Sequence, residues 1–485
     1  MKPNSLFFLG IDSATWDLIK PWVKAGRLPG FARLLKTGLA LNLESTVPPL
    51  TPVAWTSLYT GVNAGKHNVF DFYRFDKNKQ ITVNLADSNQ KPTIFEILSR
   101  QQKKIAVLNL PFTYPLRPVK GLFLSGFLTP NLEADFIYPR DLQGEFKNRF
   151  PDYSFTEKVR YGMDQASQSA YFHELIESIR QKIKVFDWAE SKADWDLFAV
   201  NFMEVDHVQH WFFHQPEKML KVYRQIDRYL LTKLEQNRFA QYLVFSDHGA
   251  GPYLKNLNLN TYFLKQGLLV LKTDFKTRAK KMLFDLGVTP SNVAKLALKL
   301  NKLPSSSKGR GKAQKIKLFL ELSDIDWQKS LAFAFGYYGN IYLIKKDQKS
   351  QQLVRTALNK LSDHGQPVID QIWEKKAVYH GPYSKYGPDL LYSAGQYAYG
   401  ASAISPFLDN QVFSTPHTLK SGEHRPLGIL ALANKVKLAK KRTNINIYET
   451  SATLLNLLGV SVPDYFEGKS ILDSQNSDLL NQIEL

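Results

Sequence analysis

Cysteine is absent from this 485-residue chain. That excludes a disulfide framework, a thiolate metal site and a cysteine nucleophile. Any metal must be held by His, Asp or Glu. Long apolar runs are missing too. No stretch approaches the ~20 residues that span a bilayer, and the apolar patch in MKPNSLFFLGIDSATW is too short for a secretion signal. The expectation is a cytoplasmic protein that starts on a core strand. Acidic residues are few beside basic ones, 44 against 63, so the formal net charge is +19. A chain this basic meets something anionic: phosphate esters, nucleic acid or an acidic membrane surface. Apolar residues make up 44% and charged residues 22%, proportions that exclude a disordered chain, a collagen or a coiled-coil rod.

Short apolar runs of the kind buried on both faces of a parallel sheet recur at Ser5–Ile11, Lys104–Leu110, Trp195–Val200, Gln241–Ser246 and Gly428–Leu432. Helical patterns lie between them, among them Trp16–Ala25 and Phe31–Lys36. The alternation predicts an α/β fold with a mostly parallel sheet. In such sheets functional groups gather at the carboxyl ends of strands. One segment breaks the pattern. Lys272–Lys317 holds 13 Lys or Arg and 2 Asp, a net of +11, which leaves +8 for the other 439 residues. It joins an expected helix, Pro290–Leu300, to the loop-like run Pro304–Gly311. Residues 265–330 read as a basic, largely helical insertion or cap within one catalytic domain, residues 1–485. The aromatic stretch Ala332–Tyr342 reads as strand-rich core.

Several polar stretches can carry chemistry. Asp12 directly follows the first strand. Thr51 precedes Pro52 and a helical run to Tyr59, the pattern of a hydroxyl-capped helix start. The same hydroxyl would sit where a helix N-terminus favours an anion. Asp206 and His210 are spaced i, i+4, on one helical face, either as a surface pair or as ligands of one cation. Asp247 and His248 stand between an apolar strand and Gly249, where a turn-forming Asp is the alternative to a ligand. Ser421–Pro426 adds Glu423, His424 and Arg425. The tetrapeptide Ser246–Gly249 recurs as Ser362–Gly365, but there the flank LVRTALNKL is an amphipathic helix. That second copy reads as a helix C-terminus at Gly365 and not as part of a site. His67 and Glu423 read as structural or as groups that orient a ligand. His207 and His214 are either solvent-facing or supporting, and His380 and His417 have no clear partner.

The stretches GIDSATWDLI, AGRLPGFARLLKTG, STVPPLTPVAWTSLYTGVNAGKHNVFDF, NFMEVDHVQH, FSDHGAG and SGEHRPLGIL, in that order, resemble the alkaline phosphatase superfamily. The resemblance is greatest to the type I phosphodiesterase/nucleotide pyrophosphatase branch and its cytosolic phosphohydrolase/phosphomutase group. It runs from Phe8 to about Leu472 and is weakest over the basic segment. It implies an alkaline-phosphatase-like sheet with helices on both faces and two divalent ions, most often Zn2+, with Mn2+ as the other choice. One ion would be held by Asp12, Asp247, His248 and the Thr51 oxygen, the other by Asp206, His210 and His424. Thr51 would be the nucleophile of a metal-dependent phosphohydrolase. The substrate would be a phosphodiester or phosphomonoester, cleaved through a phosphothreonine intermediate. The residue types suit this chemistry, since carboxylates and imidazoles bind such ions and a metal activates a hydroxyl.

The chain also departs from related branches. The position 21 residues after Thr51 is Phe72, where nucleotide pyrophosphatases carry Asn. Thr51-Pro52-Val53-Ala54-Trp55 lacks the Cys or Ser and the Arg of sulfatases. The alternatives are a phosphotransferase or phosphomutase acting on sugar phosphates or lipid head groups, or a non-enzymatic basic protein that binds a membrane or RNA. The expected partners are a small phosphoester and, through 272–317, an anionic membrane surface or other polyanion; no specific nucleic acid is expected.

Overall fold

The structure is a computed structural model, and it describes residues 2–75, 80–158, 164–299, 318–401, 406–415, 420–433 and 438–473. The run Pro304–Gly311 and His417 lie outside the described residues. The chain groups into two compact units. The first comprises Met1–Pro252, Tyr379–Gly387 and Ser421–Leu485, and the second Tyr253–Val378 and Pro388–Lys420.

The first unit is built on a nine-stranded sheet. Its order is Asn444–Asn446, Leu39–Glu44, Leu427–Ala433, Phe239–Phe245, Lys2–Ile11, Leu197–Phe202, Ile105–Leu110, Gly121–Ser125, Ile137–Tyr138. The five strands from Phe239–Phe245 to Gly121–Ser125 are mutually parallel. Leu427–Ala433 and Ile137–Tyr138 run against their neighbours. The sheet is therefore mostly parallel, as the apolar runs predict, and each expected strand falls within three residues of its observed bounds.

Alternation along the first strand explains why helices cover both faces. Phe7, Leu9 and Ile11 enter one core cluster with Ile179 and Val185 of the helix Gln165–Glu190 and Tyr223 and Ile226 of the helix Pro216–Gln236. Leu6 and Phe8 enter the opposite cluster with Trp55 and Leu58 of the helix Thr51–Thr60 and Leu454 and Leu455 of the helix Ile447–Leu457. A strand whose successive side chains point to opposite faces must be apolar throughout when both faces are covered.

In the second unit, Ala332–Phe335 pairs antiparallel with Asn340–Leu343, the strand-rich core expected for Ala332–Tyr342. Leu390–Ala394 and Ile369–Glu374 complete a four-stranded sheet. The helices Leu259–Lys265, Phe275–Asp285 and Pro290–Lys299 belong to the same unit. The expected helix end at Ser362–Gly365 needs correction. The helix Gln348–Lys360 stops earlier, and Ser362–Asp363 pairs with Gln366–Pro367 across a tight turn. His364 and Gly365 form that turn at φ 49° and 80°. Two successive positive φ values fit a two-residue hairpin loop. His364 is 87% exposed.

Candidate metal centre

The first unit brings Asp12, Thr51, Asp206, His210, Asp247, His248 and His424 into one buried cluster beyond the carboxyl ends of the parallel strands. Asp12 follows Lys2–Ile11, and its N–H donates to Phe202 O at 3.1 Å, which extends the ladder by one residue. Asp247 and His248 leave the next strand over, Phe239–Phe245. Asp206 and His210 occupy the helix Glu204–Phe212, which begins two residues after Leu197–Phe202. His424 arrives from far down the chain. Its strand, Gly422–Arg425, pairs antiparallel with Gly249–Pro252 in a register that sets His424 opposite Ala250 and so beside His248. Close approach at Gly422 makes this possible, because a Cβ there would lie 2.2 Å from Gln209 O.

Each imidazole of the cluster gives its Nδ1–H to a backbone carbonyl. His210 donates to Gly422 O at 3.0 Å, His424 to Pro49 O at 2.9 Å and His248 to Gly249 O at 3.2 Å. A carbonyl only accepts, so in each ring Nε2 presents its lone pair. Those lone pairs converge. His210 Nε2 and His424 Nε2 are 3.1 Å apart, and each lies 3.3 Å from Asp206 Oδ1. His248 Nε2 lies 3.1 Å from Asp247 Oδ2 and 3.7 Å from Asp12 Oδ1. The rings of His210, His424 and His248 stack in a row, with centroid spacings of 4.9 and 3.8 Å.

Asp12 Oδ1, Asp206 Oδ1 and Asp247 Oδ2 are buried without a hydrogen-bond donor. Such groups are costly unless something positive answers them. Burial, reinforced by the neighbouring carboxylates, holds Asp12 and Asp247 well above the usual carboxylate range. Burial also acts to raise Asp206, but His210 and His424, when protonated, hold it below its ordinary value. Burial and the adjacent His424 keep His248 neutral. Orphaned carboxylate oxygens facing imidazole lone pairs form the donor set of a divalent cation. Two overlapping groups bring their ligand atoms within 4.8 Å of one another: Asp206 with His210 and His424, and Asp12 with Asp206 and His248. Asp206 thus borders both, and Asp247 adjoins the second group through its contact with His248.

Thr51 opens the helix Thr51–Thr60, and its Oγ1 lies 3.2 Å from His248 Nε2. With Nδ1–H committed to Gly249 O, Nε2 accepts the hydroxyl proton. The sequence places Thr51 at the cap, but the cap residue is Leu50, which forms no side-chain capping bond. The hydroxyl is therefore turned into the cluster. Pro52 has no N–H, and the Val53 and Ala54 N–H groups both donate to Leu50 O at 2.9 Å. In this first turn, Thr51 N–H is the donor the helix does not engage.

Some contributors carry no signal in the sequence. Trp55 Nε1 donates to Asp12 Oδ2 at 3.0 Å and so aims Oδ1 at the cluster. Gly10 makes room for it, since a Cβ there would stand 2.7 Å from the indole. Gln209 Nε2 donates to Ser13 O at 2.8 Å, which ties the ligand helix to the turn after Asp12. Glu423 accepts from the His424 backbone N–H at 3.0 Å. His67 is buried and contacts Ser57 Oγ of the helix Thr51–Thr60 at 3.1 Å. His207 pairs with Glu157 at 2.7 Å; burial acts to lower it, but Glu157 raises it to about 9. Phe127 bridges His207 and Phe72 by ring-edge contacts with centroids 6.4 and 6.2 Å apart.

No curated protein matches the chain. Among solved structures, phosphonoacetate hydrolase from Sinorhizobium meliloti 1021 is similar in fold, with a TM-score of 0.59 at 12% identity over 95% of this chain and 96% of that one. Human ectonucleotide pyrophosphatase / phosphodiesterase 5 gives 0.53 at 14% identity, covering 97% of this chain and 100% of that one. Alkaline phosphatase PafA gives 0.56 at 16% identity, covering 97% and 98%. The family described as type I phosphodiesterase / nucleotide pyrophosphatase matches residues 6–330, two-thirds of the sequence. With that match and an alkaline-phosphatase-like sheet beneath its cluster, the chain belongs to the type I phosphodiesterase / nucleotide pyrophosphatase family of phosphoric ester hydrolases.

Proposed function

We propose that this chain hydrolyses a small phosphodiester or phosphomonoester at a two-metal site, with Thr51 as nucleophile. One observation carries the reading: three imidazoles and three donor-less carboxylate oxygens gather in one cluster, and the Thr51 hydroxyl at a helix N-terminus lies 3.2 Å from one of them, His248 Nε2. Asp206, His210 and His424 would hold one ion; Asp12, Asp247 and His248, with the Thr51 oxygen, would hold the other. Zn2+ suits the mixed nitrogen and oxygen set best, and Mn2+ is the second choice. When bound, such ions neutralise the attacking and leaving oxygens of an in-line displacement.

The chain supplies the rest. Pro49 O, Gly249 O and Gly422 O fix the imidazole tautomers before substrate arrives. Trp55 holds Asp12, and the Thr51 N–H with the helix dipole favours an anionic phosphoryl group. Thr51 Oγ displaces the substrate alcohol from phosphorus and becomes the phosphate ester. Water then displaces Thr51 and restores its hydroxyl.

The test is bis(p-nitrophenyl) phosphate and p-nitrophenyl phosphate turnover by the Zn2+- or Mn2+-loaded protein and by Thr51→Ala. The variant should lose about 1,000-fold or more in kcat while retaining its metal. Undiminished turnover would remove Thr51 from the mechanism. Hydrolysis in 18O-water should place label in the released phosphate; unlabelled phosphate on an added acceptor alcohol would replace hydrolysis by transfer.

A further inference from the structure

The helix Phe275–Asp285 of the second unit is apolar on a side that no described residue covers. Thr277, Lys280 and Phe284 face inward and are buried, with Lys280 paired to Asp324 at 2.7 Å. On the opposite side Phe275, Met282 and Leu286 follow at i, i+7 and i+11, nearly one line along the helix. They are 88%, 59% and 74% exposed. Lys276 and Arg278 flank that line and are also exposed. Lys272, Arg278, Met282, Leu286 and the ion pair Lys281–Asp285 are among the groups that line a surface depression of 440 Å³. The following helix, Pro290–Lys299, adds exposed Val293 and Leu296.

We propose that this basic-rimmed apolar surface docks the protein on an anionic lipid bilayer. The inference is independent of the hydrolytic reading. Three large apolar side chains standing in water beside Lys and Arg match a helix that lies in the plane of a membrane interface. The apolar line would enter the acyl boundary while the long basic side chains reach lipid phosphates. Charge selects this occupant over the others. A second copy would bring together two surfaces whose segment Lys272–Lys299 carries seven Lys or Arg against two Asp, and like charges repel across an interface. A nucleic acid would be held by the basic groups alone and would leave the apolar line in water.

Flotation of the full-length protein with phosphatidylglycerol–phosphatidylcholine vesicles, against pure phosphatidylcholine, tests the proposal. The protein should bind the anionic vesicles at least about tenfold better. The triple variant Phe275→Ser, Met282→Ser, Leu286→Ser should lose about a hundredfold in vesicle affinity. The double variant Lys276→Glu, Arg278→Glu should lose at least about tenfold. Unchanged circular dichroism and thermal midpoint establish that both variants fold. Equal affinity for neutral vesicles, no vesicle binding, or an unaffected triple variant would overturn the proposal. A dimer that the triple variant converts to monomer would assign the surface to a second copy. RNA binding without vesicle binding would assign it to nucleic acid.

Discussion

At the scale of single residues, the cluster depends on groups that are not themselves ligands. Trp55 is the clearest, because its indole N–H engages one oxygen of Asp12 and leaves the other for the cluster. Trp55→Phe should weaken metal binding about 10–100-fold, read by competition with a chromophoric chelator. Phe245→Leu disturbs the same aromatic packing without reaching Asp12 and should leave metal affinity unchanged. His67 governs stability instead. Its Nδ1 accepts from Val69 N–H at 3.1 Å, and burial lowers its pKa from 6.5 to about 3. The unfolded chain therefore takes up a proton at His67 near pH 6.5, where the folded one does not. Its contribution is complete above that pH and is lost as pH falls towards about 3, costing roughly 3 kcal/mol by about pH 4. His67→Asn keeps an acceptor for Val69 but cannot titrate. Urea unfolding of this variant should show a flatter loss of stability between those limits, and an unchanged slope would refute the assignment. The sequence marks Asp12, Asp247 and His248 as ionisable side chains at strand ends, but it groups them with Thr51, Asp206, His210 and His424 only through the family resemblance. Pro49 O, Gly249 O and Gly422 O were not legible, because every residue has a carbonyl and only the fold says where it points.

At the scale of elements, the buried strands announced themselves, while helix ends depended on partners far away in sequence. The helix Pro29–Thr37 has no side-chain cap of its own, since Leu28 occupies that position. Asp227, from the middle of the helix Pro216–Gln236, accepts from Gly30 N–H at 3.1 Å and Phe31 N–H at 2.8 Å. Gly30 is required for this contact, because a Cβ there would lie 2.3 Å from Asp227 O. The run Gly26-Arg27-Leu28-Pro29-Gly30 is legible as a helix start, but its cap is supplied about 200 residues later. Asp227→Ala should destabilise the protein by about 1–2 kcal/mol in urea, as loss of an ordinary cap does. The repeated tetrapeptide shows the converse. Ser246–Gly249 and Ser362–Gly365 are identical, yet one follows a buried strand into the cluster and the other closes an exposed hairpin. Context fixes the role of such a motif.

At the scale of the molecule, a formal charge of +19 separates into a mildly basic remainder and one strongly basic segment. The proposed metal ligands span positions 12 to 424, so bound ions would stabilise the folded chain by mass action. Chelation should lower the thermal midpoint by roughly 3–6 °C, and Zn2+ should restore it. An unchanged midpoint would mean that the cluster holds no ion in solution. The sheet order has a consequence in time. Leu427–Ala433 lies between Leu39–Glu44 and Phe239–Phe245, so a growing chain leaves an opening in its sheet until that strand emerges. His424, just ahead of it, is the last ligand to be synthesised. On the proposed ligand set, the metal site cannot close on the ribosome before that residue has been made.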